Sequence, residues 1–389
     1  MNPEGGYVVN FEFSEEQLEF KKNAVRFAQE ALNDEIIERD RDAVFSRELW
    51  KKCAEFGIQG SAFPELYGGL NTDIFSTMLL MEGLGYGCKD SGLIFAINGQ
   101  MWTVQMPILR FGTDDQKDRY LPKLCSGELI GANGVTEPDS GSDAFSMSTT
   151  ARLEGDYYIL NGTKTFCTMA PSAGLFMVFA TVDKRKAFMG VTAFLVEKDF
   201  PGFKVGRDIE KMGLKTAPMA ELILDDCKVP VANRLGKEGN GAAIFEDTVE
   251  WERTCILASI LGGMERQIEQ CITYSRERKQ FGKAIGKFQA IANKIVDMKV
   301  RMETARLLLY KVAWMKHAHG KAAMEAAMAK LYLSESWIKS CLDAVQIHGG
   351  YGYATEYEVE RDLRDSIGST LYSGTSEIQR NIIARYLGL

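Results

Sequence analysis

Histidine is scarce in this chain of 389 residues, where His317, His319 and His348 are the only imidazoles. Cysteine occurs eight times, at Cys53, Cys88, Cys125, Cys167, Cys227, Cys255, Cys271 and Cys341, but never as a C-x-x-C pair. Without that spacing the residues argue against a zinc site and against a disulfide framework. Long apolar runs are missing too: residues 174–182, among the longest, fall far short of the roughly 20 residues that a membrane helix needs. There is no basic excess, since 46 Lys+Arg stand against 53 Asp+Glu for a net charge of −7. That balance argues against broad electrostatic binding of nucleic acid or anionic membrane, while leaving room for a local basic patch. Met1 to Asn10 carries no basic stretch followed by an apolar core, and neither internal repeats nor low-complexity linkers occur. The expectation is a cytoplasmic enzyme with reduced thiols and no bound metal.

What is present is an ordinary globular composition, 46% hydrophobic, in a chain long enough for two or three packed units. Ser14-Glu15-Glu16-Gln17 has the pattern of a capping box, in which serine and glutamine satisfy each other's free backbone N–H groups. Helical text continues to about Gly127, with breaks at Pro64–Gly69 and near Gly112. Short β-rich segments follow: Tyr157 to Leu160, Leu175 to Thr181, Val191 to Val196, Phe203 to Val205 and Glu221 to Leu224. Turn signals at Asn161-Gly162, Pro201-Gly202 and Asp225-Asp226 separate them and predict an antiparallel β-domain. After Gly239-Asn240-Gly241 helical text runs to the end. Ile256, Ile260, Met264, Ile268 and Ile272 recur every four positions, and Phe288, Ile291, Ile295, Met298, Met302, Ala305, Leu309 and Val312 step by three and four. That is the seam of a four-helix bundle. The chain therefore reads as mainly α with a β insert: a helical domain over 1–128, a β-domain over 129–238 and a helix bundle over 239–389.

Several motifs bear chemistry. Asn133 to Asp143 (N-G-V-T-E-P-D-S-G-S-D) is a polar, glycine-containing turn able to expose N–H groups and hydroxyls to a polar ring system. Lys164-Thr165-Phe166-Cys167-Thr168 places an aromatic on a strand. Arg276 to Lys283 (R-E-R-K-Q-F-G-K) includes Arg278, a rigid charged fork suited to phosphate oxygens. Gln346 to Gly352 (Q-I-H-G-G-Y-G) permits close approach by a ligand, and Tyr372 to Arg380 reads Y-S-G-T-S-E-I-Q-R.

These motifs, in this order, resemble the acyl-CoA dehydrogenase superfamily from Phe11 to Leu389. The resemblance implies FAD as cofactor. It implies that Val135, Thr136, Gly141 and Ser142 line the flavin and its phosphates, that Phe166 covers the ring where tryptophan is more usual, and that Thr168 bonds near its reactive nitrogen. It further assigns Arg278, Phe281, Gln289, Gln346, Gly349, Gly350, Thr375 and Glu377 to the cofactor. It also implies FAD shared across a subunit interface, hence a homodimer or a homotetramer built as a dimer of dimers.

The family usually has glutamate between the aromatic and the glycine of the last motif, and that glutamate removes the α-proton of an acyl thioester. Here the position is Ser373, whose hydroxyl titrates too high to act unassisted as a base. A minority branch instead places the base on the upstream helix just before an arginine, which Glu252-Arg253 matches, next to Trp251. Glu252 is then the expected base, its carboxyl raised by burial, and the Ser373 backbone N–H the surviving oxyanion donor. Glu250 is the fallback base, and the competing reading makes Glu252 an acid that stabilises the helix dipole. His348 resembles a family packing position rather than a base. Glu48 to Lys52, Trp251 to Cys255 and Phe288 to Trp314 resemble prolyl carrier-protein dehydrogenases. That resemblance favours a carrier-bound acyl or aminoacyl thioester over a short or branched acyl-CoA. A flavin monooxygenase and an inactive flavoprotein stay open, as does the electron acceptor, either electron-transfer flavoprotein or oxygen.

Overall fold

The computed structural model describes residues 12–389, so the absence of a leader at Met1–Asn10 lies outside the described residues. Seven helices open it: α1 (Glu15–Ala31), α2 (Ile36–Arg41), α3 (Arg47–Glu55), α4 (Ile74–Gly87), α5 (Ser91–Gln100), α6 (Met106–Phe111) and α7 (Asp114–Cys125). The capping box forms as expected, with Gln17 N donating to Ser14 Oγ and Ser14 N to Gln17 Oε1, both at 3.1 Å. Helix α4 is buried nearly all round because it is packed on both α1 and the long helix α8 (Gly241–Glu277). Glycine makes the second contact possible: a Cβ on Gly85 would lie 1.8 Å from Ser259 O, and one on Gly262 1.9 Å from Glu82 O. Backbone therefore meets backbone, which fixes α8 closely against the first domain.

The middle region is an eight-stranded sheet: β1 (Gly131–Gly134), β2 (Thr150–Glu154), β3 (Tyr157–Thr168), β4 (Leu175–Thr181), β5 (Val191–Glu197), β6 (Phe203–Asp208), β7 (Met219–Pro230) and β8 (Arg234–Leu235). The order is β6-β7-β3-β2-β4-β5-β8, with β1 pairing β4. Two sequence expectations are corrected here. The sheet is mixed, since β1 lies parallel to β4 and β2 meets β4 in parallel at Thr150 and Thr181. Asn161-Gly162 and Asp225-Asp226 are not turns but face each other inside β3 and β7 across a register shift between Leu160 and Gly162. Asn161 Nδ2 donates to Asp226 Oδ1 and Asp226 N to Asn161 Oδ1, both at 2.9 Å. Cross-strand satisfaction of these polar groups converts a local turn signal into a β-bulge. Pro201-Gly202 does turn the chain between β5 and β6.

Helices α8, α9 (Gln289–His319) and α10 (Ala323–His348) form the long members of the C-terminal bundle. After α11 (Gly350–Tyr353), the shorter α12 (Val359–Gly368) and α13 (Ser376–Tyr386) pack on α10. Met298, Met302, Ala305, Leu309 and Val312 are buried along α9 as their spacing predicts. The helical text is interrupted once, by a hairpin of β9 (Lys279–Gln280) and β10 (Lys283–Ala284). Its corner residues Phe281 and Gly282 have φ 51° and 78°, the two left-handed positions of a tight hairpin turn.

Candidate active site

Glu252 stands in the first third of α8, half-buried, where the close α4 contact holds the helix. Burial raises its carboxyl above the ordinary value, and the nearby Ser373 hydroxyl, Arg253 and Lys330 oppose that rise. Tyr372, which senses the Glu252 charge, lies tilted against Phe95 with ring centroids 4.7 Å apart. Ser373 has φ 56°, a left-handed conformation that L-residues other than asparagine and glycine rarely keep without support. The support comes from side chains. Arg253 Nε donates to Ser373 O at 2.9 Å, Lys330 Nζ to Gly374 O at 2.7 Å, and Gln379 Nε2 to both carbonyls at 3.2 and 2.8 Å. Among the described residues no backbone carbonyl accepts from the Ser373 N–H, and the buried Ser373 Oγ faces the Glu252 carboxyl, whose rise it opposes. Thr375 follows directly as the N-cap of α13, accepting from Ile378 N at 3.4 Å, with Glu377 exposed in its first turn.

A small cavity of about 30 Å³ lies along α8, bordered by Tyr372, Ile256, Ile260, Trp337, Arg266 and Asp362. Leu214, from the segment joining β6 to β7, closes one side of it. Its walls are mostly apolar, and Phe95, Trp337 and Tyr372 are its aromatic members.

A second cluster lies on the sheet. Lys164, fully buried on β3, pairs with Glu137 at 2.8 Å and donates to Val135 O at 3.1 Å. Burial alone would raise the Glu137 carboxyl, but Lys164, Ser148 and Thr149 outweigh it and bring it down to about 2. This ionised pair, with Thr165 N donating to Thr136 O at 2.8 Å, ties the loop carrying Val135, Thr136, Gly141 and Ser142 to the strand carrying Phe166 and Thr168. Phe166 has φ 55° and is 60% exposed, so a large ring is presented outward rather than packed. Gly141 and Ser142 are exposed, and Asn133 Oδ1 is buried without a partner.

The third cluster is distant. Arg278 follows Glu252 by 26 residues, about 39 Å at the helical rise of 1.5 Å per residue. There Arg278 lies over the Tyr351 ring at 5.5 Å and Phe281, 93% exposed, contacts Phe288 at 6.1 Å. Gln289, Gln346, Gly349 and Gly350 are all exposed, and a Cβ on either glycine would meet nothing within 4 Å. The expected cofactor residues therefore form two surfaces of one chain, far apart. An exposed aromatic, unpartnered polar atoms and open glycines are what a flat polar ring with an anionic tail requires, so FAD fits these residues.

Two expectations about acids and bases are resolved. Glu250 is not a spare base, because it accepts from Lys316 Nζ at 2.7 Å and Ala322 N at 3.0 Å and so fastens the α9–α10 junction. His348 is a packing residue: it stacks on Tyr274 at 4.2 Å, its Nδ1 lies 2.8 Å from Ala344 O, and burial lowers its basicity. Trp251 is engaged away from the carboxylate, stacked on Trp102 at 6.0 Å and covered by Lys316 Nζ at 4.2 Å. Lys330, Gln379 and the Glu137–Lys164 pair were not singled out from the sequence. Glu137 and Lys164 carried a signal in lying within the flavin-loop and strand motifs, whereas nothing local marks Lys330. Among the described residues no cluster of potential metal ligands occurs and no helix is long and apolar enough to cross a membrane.

Comparison with known proteins agrees with this geometry. Residues 14–128, 132–227 and 239–388 match the N-terminal, middle and C-terminal domains of acyl-CoA dehydrogenase. An L-prolyl-[peptidyl-carrier protein] dehydrogenase of Serratia sp. is 42% identical over 98% of this chain and 99% of its own. The solved prolyl acyl carrier protein oxidase AnaB is 52% identical with TM-score 0.96, over 97% of this chain and all (100%) of its own. PigA, solved with FAD and proline, is 41% identical with TM-score 0.95, over 98% and 100%. The flavin monooxygenase reading has no support among these relatives. The chain belongs to the acyl-CoA dehydrogenase family and is an FAD-dependent oxidoreductase acting on CH–CH bonds.

Proposed function

We propose that the chain dehydrogenates the α,β bond of a prolyl-like aminoacyl thioester held on a carrier protein. The observation that carries this reading is the pairing of a half-buried Glu252 with Ser373, whose carbonyl is held by Arg253 and Gln379 and whose backbone N–H has no acceptor among the described residues. Likeness over nearly the whole chain to relatives named for prolyl carrier-protein substrates supports the substrate class.

When bound, FAD supplies the acceptor for the β-hydride. The chain's own residues do the rest. Glu252 takes the α-proton on its carboxylate, and a carboxyl raised by burial is a better base than an ordinary one. The Ser373 N–H donates to the thioester oxygen as charge develops there, a donor of the kind worth roughly 3–4 kcal/mol. Phe95, Ile256 and Tyr372 hold the acyl group and keep water from the proton being moved. Val135, Thr136, Gly141, Ser142, Phe166, Thr168, Thr375 and Glu377 hold the cofactor of their own chain. Arg278, Phe281, Gln289, Gln346, Gly349 and Gly350 serve the cofactor of a neighbour, which makes the enzyme a homodimer or homotetramer. Eight buried free thiols support a reducing, cytoplasmic setting.

The test is anaerobic bleaching of the visible flavin band with prolyl and other acyl groups, each offered on coenzyme A and on a carrier protein. Bleaching by carrier-bound prolyl is the expected outcome. Bleaching by acyl-CoA alone assigns the chain to a short or branched acyl-CoA, and none by either returns the inactive-flavoprotein reading.

A further inference from the structure

Three buried side chains from three helices converge on two successive carbonyls. Lys330 and Gln379 are 0% exposed and Arg253 8%, and they come from α10, α13 and α8. Lys330 is the unusual member: a fully buried ammonium whose described hydrogen bond goes to one backbone carbonyl, Gly374 O, with no carboxylate within ion-pair distance among the described residues. Burying a lysine without an ion pair is costly, so the position it holds must be one the fold uses. That position is the Gly374 carbonyl, directly after the left-handed Ser373, whose N–H has no acceptor among the described residues.

We propose that Lys330 is a positioning residue for the oxyanion donor: by pinning the Gly374 carbonyl it keeps the Ser373 backbone turned with its N–H free for the thioester oxygen. The donor's geometry then does not depend on the side chain at 373, so a serine can stand there while the base sits on α8. The charge also acts on the base. Glu252 faces Arg253 from its own helix, Lys330 from α10, and Tyr372 and Ser373 from the loop; Lys330 in turn faces Arg253, Glu252, Glu335 and Glu377. Removing Lys330 removes one of the two cations that oppose the rise of the Glu252 carboxyl.

This inference rests on the proposed thioester dehydrogenation, and its test separates the two. The full holoenzyme is compared with Lys330→Met, Lys330→Gln and Lys330→Arg, using carrier-bound prolyl substrate across neutral pH. With Lys330→Met, flavin reduction should slow about 100-fold at nearly unchanged KM, the loss expected when an oxyanion donor is misplaced. Its acid-side pH midpoint should move upward, because Glu252 binds its proton more tightly. Hydrogen exchange of the 372–376 amides in the substrate-free protein should accelerate, and Lys330→Arg should restore much of the rate. Lys330→Gln keeps a donor of similar reach without the charge. It should reduce faster than Lys330→Met while keeping the displaced midpoint, and it decides the matter if the methionine variant fails to fold. Wild-type rates, midpoints and exchange in the neutral variants would overturn the inference. A wild-type enzyme inert to the substrate would overturn the proposed function instead.

Discussion

At the scale of the residue, the proposed function divides between Glu252 and Ser373 two tasks that one position usually shares. Glu252→Gln should therefore cut flavin reduction by about 100-fold or more with FAD still bound, whereas Ser373→Ala should stay within a few-fold of wild type. Stopped-flow bleaching of both variants checks this pair. A pH limb belongs to the same residues: burial, reinforced by Arg253, pushes Lys330 down to about 8. The rate should rise from the acid side as Glu252 ionises and fall again as pH passes about 8 and Lys330 loses its proton. In Lys330→Arg that alkaline fall should disappear, because arginine stays charged. The sequence made Glu252, Ser373 and the flavin loop legible because their neighbours form contiguous motifs. Lys330 was illegible for a physical reason. It sits in an alanine-rich amphipathic stretch where a lysine reads as solvent-facing, and only the packing of α10 against the loop before α13 buries it.

At the scale of the element, local signals succeeded where a single segment decides the structure and failed where a second strand does. The Ser14 capping box and the Pro201-Gly202 turn formed as read, because each is satisfied within a few residues. Asn161-Gly162 and Asp225-Asp226 were overruled because each supplies the other's hydrogen bonds across β3 and β7. The segment joining β6 to β7 offers an element-scale prediction. Asp365 on α12 accepts from Leu214 N at 2.5 Å, and burial raises its carboxyl from 3.8 to about 7. The folded state therefore binds this proton more tightly than the unfolded chain. Its contribution to stability is fully present below the unfolded value of 3.8 and is lost as pH rises through about 7. The loss is on the order of a few kcal/mol. Asp365→Asn should flatten this part of the profile, which denaturant melts on either side of neutrality will show.

At the scale of the whole molecule, Glu252 and Arg278 stand 26 residues apart along and just beyond α8, a separation that under the proposed function sends them to the sites of different subunits. Arg278→Glu should consequently lower FAD content several-fold, measured by flavin absorbance per chain, while circular dichroism and melting of the first domain and sheet stay unchanged. Fold class was legible at this scale because helix and strand periods change at two points along the chain. The sharing of FAD between subunits was read from family resemblance alone, because nothing in a linear text states how far apart a long helix holds its ends.

The length of α8 also gives the enzyme a form of genetics. On the proposed function Glu252→Gln should silence the chemistry and Arg278→Glu should deplete the cofactor, so the two lesions should fall in different halves of a site shared between subunits. Co-refolded together, the two inactive parents should produce mixed dimers in which one site combines both defects and the other combines neither. Activity should then appear from two silent preparations and be lost again when the parents are kept apart.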